Sequence, residues 1–203
     1  MPYDSCKLAE LISTRISHDL AGGIGSLDNL IDCLEENVPV DAEDKKILDK
    51  TAKDLRARQK FLRIAFGIGT KALSTDDLKS LCLEYLQTIG ASSRNISLSF
   101  KNIASELAKY ICLCVMTAVE VAIKNTAVEI DVNKNNIIIK IASENKLSEA
   151  KLASYQQILE GKVLDDGDAS QLIALIYLRE LLGADVPMKL NVSAENNAEL
   201  IIG

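Results

Sequence analysis

The chain has one histidine in 203 residues, and none of its five cysteines stands in a C-x-x-C pair. A structural zinc site needs four closely spaced Cys or His ligands, which this sequence does not offer. The cysteines (Cys6, Cys33, Cys82, Cys112 and Cys114) are odd in number and lie in helical or apolar stretches. That pattern suits reduced, buried thiols in a cytoplasmic protein better than a disulfide framework. Positive charge is also short, with 23 Lys and Arg against 29 Asp and Glu. The resulting net charge of −6 argues against nucleic-acid binding, which relies on a basic surface. Long apolar runs are missing too. The longest, around 110–123, is interrupted by Glu120 and is too short to span a bilayer. The first residues, Met-Pro-Tyr-Asp-Ser, show no basic stretch followed by an apolar one. Neither a signal peptide nor a membrane partner is expected. What is present is an ordinary globular composition, long enough for one large domain or two small ones.

Apolar residues recur at Leu8, Ile12, Ile16, Leu20, Ile24, Leu27, Ile31 and Leu34. Steps of three and four place them on one stripe of a long helix. The stretch 35–41, with Pro39, breaks that helix, and Asp41 is suited to cap the next one. A second helix carries Ile47, Leu48, Ala52, Leu55, Leu62 and Phe66, and its Leu48, Leu55 and Leu62 keep a heptad spacing. Such a hairpin has one apolar side to bury, and a second copy would bury it as a dimeric four-helix bundle. Gly67 to Gly69 close the hairpin, giving a helical domain over 1–69 and a second domain over 70–203.

In the second domain, Ser74 opens a helix running to Leu86. Strands are expected over 96–100, 128–132, 137–141, 188–192 and 200–202, and helices over 107–124, 147–159 and 169–182, the last ended by Gly183. The fold class is therefore α+β: a helical hairpin followed by a mixed sheet with helices on one face.

His18 is placed roughly opposite the centre of the apolar stripe, together with Thr14, Arg15, Gly22, Gly25 and Asn29. A wet imidazole is a nitrogen nucleophile that titrates near neutrality and can accept and pass on a phosphoryl group. A lone histidine can also be a simple surface residue. Gly22, Gly23 and Gly25 follow it within an otherwise helical pattern, although each costs up to about 1 kcal/mol relative to alanine. They fit a bend or bare backbone for a partner, a helix break at Gly22 with a restart at Ser26, or a phosphate-cradling loop without the usual lysine. On the second helix, Lys53, Arg56, Lys60 and Arg63 line one stripe. It is either a solvated face or a docking strip for an acidic protein surface.

The run Arg15, His18, Asp19, Leu20, followed by Gly25, Ser26, Leu27 and Asn29, resembles the first helix of ChpT-type histidine phosphotransferases of alphaproteobacteria. More distantly, it is similar to the dimerisation and phosphoacceptor region of sensor histidine kinases. The resemblance extends to the order of domains, a helical hairpin followed by an α/β sandwich arranged like a kinase ATPase domain. It implies a homodimer in which His18 relays a phosphoryl group between receiver-domain aspartates. The receivers would belong to a hybrid histidine kinase and to response regulators. It further implies that Asp19 orients the imidazole and that Arg15, Gly22 and Asn29 flank the docking surface. Two positions depart from the kinase pattern, Gly23 where a proline is common and Gly22 where a polar residue is common.

The same comparison implies that the second domain does not use ATP. Val121 stands at the position of the kinase magnesium-binding asparagine. The segment 142–146 has no glycine, and Asp166-Gly167-Asp168 leads into the later helix with only one. Valine cannot coordinate a hard cation, and bulky or acidic residues do not cradle phosphates. No cofactor is expected on this chain, with magnesium supplied by the receiver. Two competing expectations are a divergent autophosphorylating kinase and a dimeric scaffold that binds receivers without chemistry.

Overall fold

The computed structural model describes residues 3–35, 41–67, 73–133 and 136–203. Helices α1 (Ser5–Glu35) and α2 (Ala42–Phe66) form the hairpin, followed by α3 (Thr75–Thr88). The remainder is β1 (Ile96–Lys101), α4 (Ala108–Val121), β2 (Thr126–Val132), β3 (Ile137–Ser143), α5 (Glu149–Leu159), α6 (Asp166–Gln171), α7 (Ile173–Leu182), β4 (Met188–Ala194) and β5 (Asn197–Ile202). The fold is α+β. The breaker at Pro39, Gly69, the expected 69/70 domain boundary and residues 134–135 of the β2–β3 connection lie outside the described residues.

Helix starts follow the local chemistry. Asp41 accepts hydrogen bonds from the Glu43 and Asp44 N–H groups at 2.7 and 2.9 Å, and the Asp44 carboxylate accepts one from the Asp41 N–H. Ser74 and Asp77 make the same reciprocal cap at α3. Gly183 ends α7 at φ +79°, a conformation that disfavours a side chain.

The five-stranded sheet runs β1-β2-β3-β5-β4, parallel between β1 and β2 and antiparallel elsewhere. Its two-residue alternation sends Val128, Ile130, Ile139, Ile141, Ala198, Leu200 and Ile202 to one buried face. That face packs on α4, whose residues from Ile111 to Val119 are all buried. The opposite face carries the Lys101–Glu129–Lys140 ion-pair row.

Several boundaries differ from the sequence reading, among them the starts of α5 at Glu149, of β2 at Thr126 and of β5 at Asn197. The helix expected over 107–124 stops at Val121, where Ala122 turns extended and the Thr126 side chain takes up the Ile123 N–H. The helix expected over 169–182 is two, because Leu172 (φ −96°, ψ 16°) leaves helical geometry between α6 and α7. Asp165 caps α6 and moves its start ahead of Ala169. Cys82, Cys112 and Cys114 are buried free thiols, whereas Cys6 is exposed. Burial pushes the Cys114 thiol up to about 12 and the Cys112 thiol well above its ordinary range.

Candidate functional site around His18

Helix α1 continues unbroken through Gly22, Gly23 and Gly25, so neither the helix break nor the phosphate loop forms. The three glycines do different things. A Cβ on Gly23 would meet Leu55 Cδ2 at 2.5 Å and Cγ at 2.7 Å, so this glycine lets α1 lie close against α2. A Cβ on Gly22 or Gly25 would have nothing within 4 Å, so these two expose bare helix surface one and two turns past His18.

The His18 side chain is 86% exposed, with Nδ1 3.7 Å from Asp19 Oδ1. Its neighbour is the opposite: the Asp19 side chain is 9% exposed. Asp19 Oδ2 accepts a hydrogen bond from Arg15 Nε at 3.0 Å. Arg15 then reaches out of the hairpin. Its Nη2 lies 2.6 Å from Glu120 Oε1 on α4, and Nη1 donates to the Gln171 carbonyl of α6 at 2.9 Å. Lys151 on α5 holds Glu120 in turn, donating to its carbonyl at 2.6 Å with Nζ 3.7 Å from Oε2. Burial alone would lower the Arg15 pKa, but the Glu120 and Asp19 carboxylates outweigh it and hold the guanidinium above its ordinary value. Tyr85 is buried beside this group and stacked on Phe61, with ring centroids 3.8 Å apart. Burial raises its pKa, as does the Asp19 carboxylate.

Arg58 on α2 secures the same turn from the other side. Its guanidinium donates to the carbonyls of Asp19 and Thr88, tying α1 to the end of α3. Imidazole and carboxylate thus differ sharply in freedom, one projecting from a helix and the other buried and held by Arg15.

Arg15, expected beside a docking surface, has a side chain that is 13% exposed, with its guanidinium engaged by Asp19, Glu120 and the Gln171 carbonyl. Thr14, Gly22, Gly25 and Asn29 are exposed. Lys53, Arg56 and Lys60 are exposed along a groove of about 680 Å³ that α3 completes with Glu84, Gln87 and Thr88. Arg63 is separate from them and borders a smaller apolar groove between α1 and α2, with Ile12, Ile16 and Phe66. Glu120 and Arg58 were not singled out by sequence. A signal did exist: Leu11 lies off the main stripe, and Arg15 and Asp19 follow it at intervals of four, marking a second inward face of α1.

Val121 closes α4 with its side chain in the core. Among the described residues, no cluster of three or more Cys, His, Asp or Glu side chains could hold a metal ion. No described helix is long and apolar enough to cross a membrane.

No family model matches the chain. Over 83 residues it is 31% identical to the protein phosphotransferase ChpT of Brucella abortus (strain 2308). The match covers 39% of this chain and 39% of that protein, so it spans about two-fifths of the relative's length. The solved structure described as a 1.7 Å structure of a bacterial phosphotransferase superposes with a TM-score of 0.73. It covers 99% of this chain and 98% of its own at 18% identity. The chain resembles ChpT-type phosphotransferases. The histidine kinase AdeS of Acinetobacter baumannii aligns over 91% of this chain and 95% of its own, at a TM-score of 0.46 and 12% identity. The fold likeness to the bacterial phosphotransferase takes in both the hairpin and the sheet domain, whereas the sequence likeness to ChpT is confined to part of the chain.

Proposed function

We propose that this chain is a histidine phosphotransferase that relays a phosphoryl group between receiver-domain aspartates through His18. The observation that carries this reading is the 86% exposed imidazole on a rigid helix, next to a carboxylate that cannot turn away. With the imidazole proton on Nδ1, facing Asp19, the Nε2 lone pair points outward. Nε2 attacks the phosphorus of a receiver aspartyl phosphate, and the P–O bond breaks as the receiver carboxylate leaves with its electrons. The Nδ1 proton stays in place, and Asp19 stabilises the positive charge that develops on the ring. The reverse step delivers the group to a second receiver. Phosphoryl transfer depends mostly on position and charge, and here the receiver would bring the magnesium.

The docking face comprises the bare backbone at Gly22 and Gly25, with Thr14 and Asn29 beside it. Lys53, Arg56 and Lys60 would draw the acidic pocket of a receiver toward it. Ile24, Ile31, Ile47 and Leu48 remain exposed toward the hairpin tip. A second copy would cover them and complete a four-helix bundle.

The test is incubation with a receiver carrying labelled aspartyl phosphate. Label should appear on this chain in acid-labile, base-stable form and map to the peptide containing His18. Label that is base-labile, or absent, would contradict the assignment.

A further inference from the structure

We infer that Glu120, on the helix that packs under the sheet, is a positioning residue for His18 and acts through Arg15 and Asp19. This rests on the transfer reading above. The geometry forms a chain of fixed contacts: Lys151 holds Glu120, Glu120 holds Arg15 Nη2 at 2.6 Å, and Arg15 Nε holds Asp19 Oδ2 at 3.0 Å. With Oδ2 committed, Oδ1 is the oxygen left to face His18 Nδ1, at 3.7 Å.

Each link is directional. A guanidinium presents its donors in a rigid plane, so fixing Nη2 and Nη1 sets where Nε points. Without Glu120, Arg15 loses its charged anchor in the second domain and keeps the uncharged Gln171 carbonyl and Tyr85 hydroxyl. Asp19 then gains freedom to rotate with its partner. The imidazole has no other described contact in this structure that would select one tautomer, because it is almost wholly exposed. Glu120 therefore acts on the distribution of the His18 proton, and through it on the share of imidazole presenting a bare Nε2. The residue immediately before Val121 couples the sheet domain to the phosphoacceptor without any nucleotide.

His18 is the only histidine, so its two ring nitrogens give one assignable pair of ¹⁵N signals. The experiment compares wild type, Glu120→Gln, Arg15→Ala and the double variant by ring ¹⁵N NMR and by single-turnover transfer from a phosphorylated receiver. Glu120→Gln keeps the side-chain shape, and circular dichroism checks that it folds. Expected are a wild-type proton mainly on Nδ1 and a more even tautomer mixture in Glu120→Gln. The maximal transfer rate should fall by about tenfold to a hundredfold, the range for a displaced reacting group, with half-saturating receiver concentration unchanged. The double variant should be no slower than Arg15→Ala alone, since both act through one path. A wild-type tautomer balance in Glu120→Gln, or a loss confined to half-saturation, would overturn the inference while leaving His18 as the acceptor. If wild type accepted no phosphoryl group, the transfer reading would fall, and the ring spectra would still decide whether Glu120 acts on His18.

Discussion

Alanine substitutions at the three glycines of α1 should have opposite effects on stability, because only one of them faces a neighbour. In an exposed helix interior, glycine to alanine contributes about 0.8–1 kcal/mol of stability. Gly22→Ala and Gly25→Ala should realise most of that, since a new methyl at either meets nothing within 4 Å. Gly23→Ala places the same methyl 2.5 Å from Leu55 Cδ2 and 2.7 Å from its Cγ. Contacts under 3 Å force Leu55 to a new rotamer or push α1 off α2, and such overpacking costs about 1–3 kcal/mol. Set against the same propensity gain, the net change is a loss of up to about 2 kcal/mol. Urea unfolding followed by circular dichroism reads the difference. The order of midpoints should be Gly22→Ala and Gly25→Ala above wild type, with Gly23→Ala lowest. Adding Leu55→Ala should remove the penalty at Gly23 specifically, a coupling that a double-mutant cycle isolates. Gly23→Ala as stable as Gly22→Ala would refute the close-approach reasoning. The two stabilised variants should also dock a receiver more weakly, measured by titration, if their bare backbone is part of the docking face.

Arg15→Met leaves the Asp19 and Glu120 carboxylates with little exposure and without their shared cation, so unfolding free energy should drop by about 3 kcal/mol in denaturant titration. A change below about 0.5 kcal/mol would mean the network is not formed. Stability should fall under alkaline conditions. The Cys114 thiol ionises near 9.0 when unfolded but is held up to about 12 when folded, so between these values the unfolded state has released a proton the native state retains. Its contribution is whole below pH 9 and is lost as pH rises through 12, with a slope of up to about 1.4 kcal/mol per pH unit. Cys114→Ala should flatten urea midpoints measured from pH 8 to 11, and an unchanged slope would count against a buried thiol. In sedimentation velocity, wild type should sediment as the proposed dimer and Ile31→Glu as a monomer, because Ile31 lies half-exposed on the uncovered stripe. A dimer that persists with Ile31→Glu would place the subunit contact elsewhere.

Much of the architecture was written in periodicity and punctuation. The stripe from Leu8 to Ile31 and the caps at Asp41 and Ser74 depend on neighbours within a turn or two, which a sequence displays directly. The unequal glycines did not show themselves this way, since what separates Gly23 from Gly22 is Leu55 on another helix. Arg15 was placed with His18 by helical angle, about 60° away, but angle does not say where a long side chain ends. Its guanidinium crosses to Glu120, a contact between residues far apart in the chain. The α6–α7 break was hidden for the same reason: Leu172 and its neighbours read as one apolar helix face until tertiary packing turns the backbone.

The most direct test of the central claim is a reconstituted relay. A phosphorylated donor receiver, this chain and an unphosphorylated acceptor receiver are combined, and label on the acceptor is followed with time. With wild type the acceptor should gain label through a transient species on this chain. With His18→Gln, which removes only an exposed side chain and should melt as wild type does, the acceptor should gain none. Label reaching the acceptor at the same rate with His18→Gln would contradict the account.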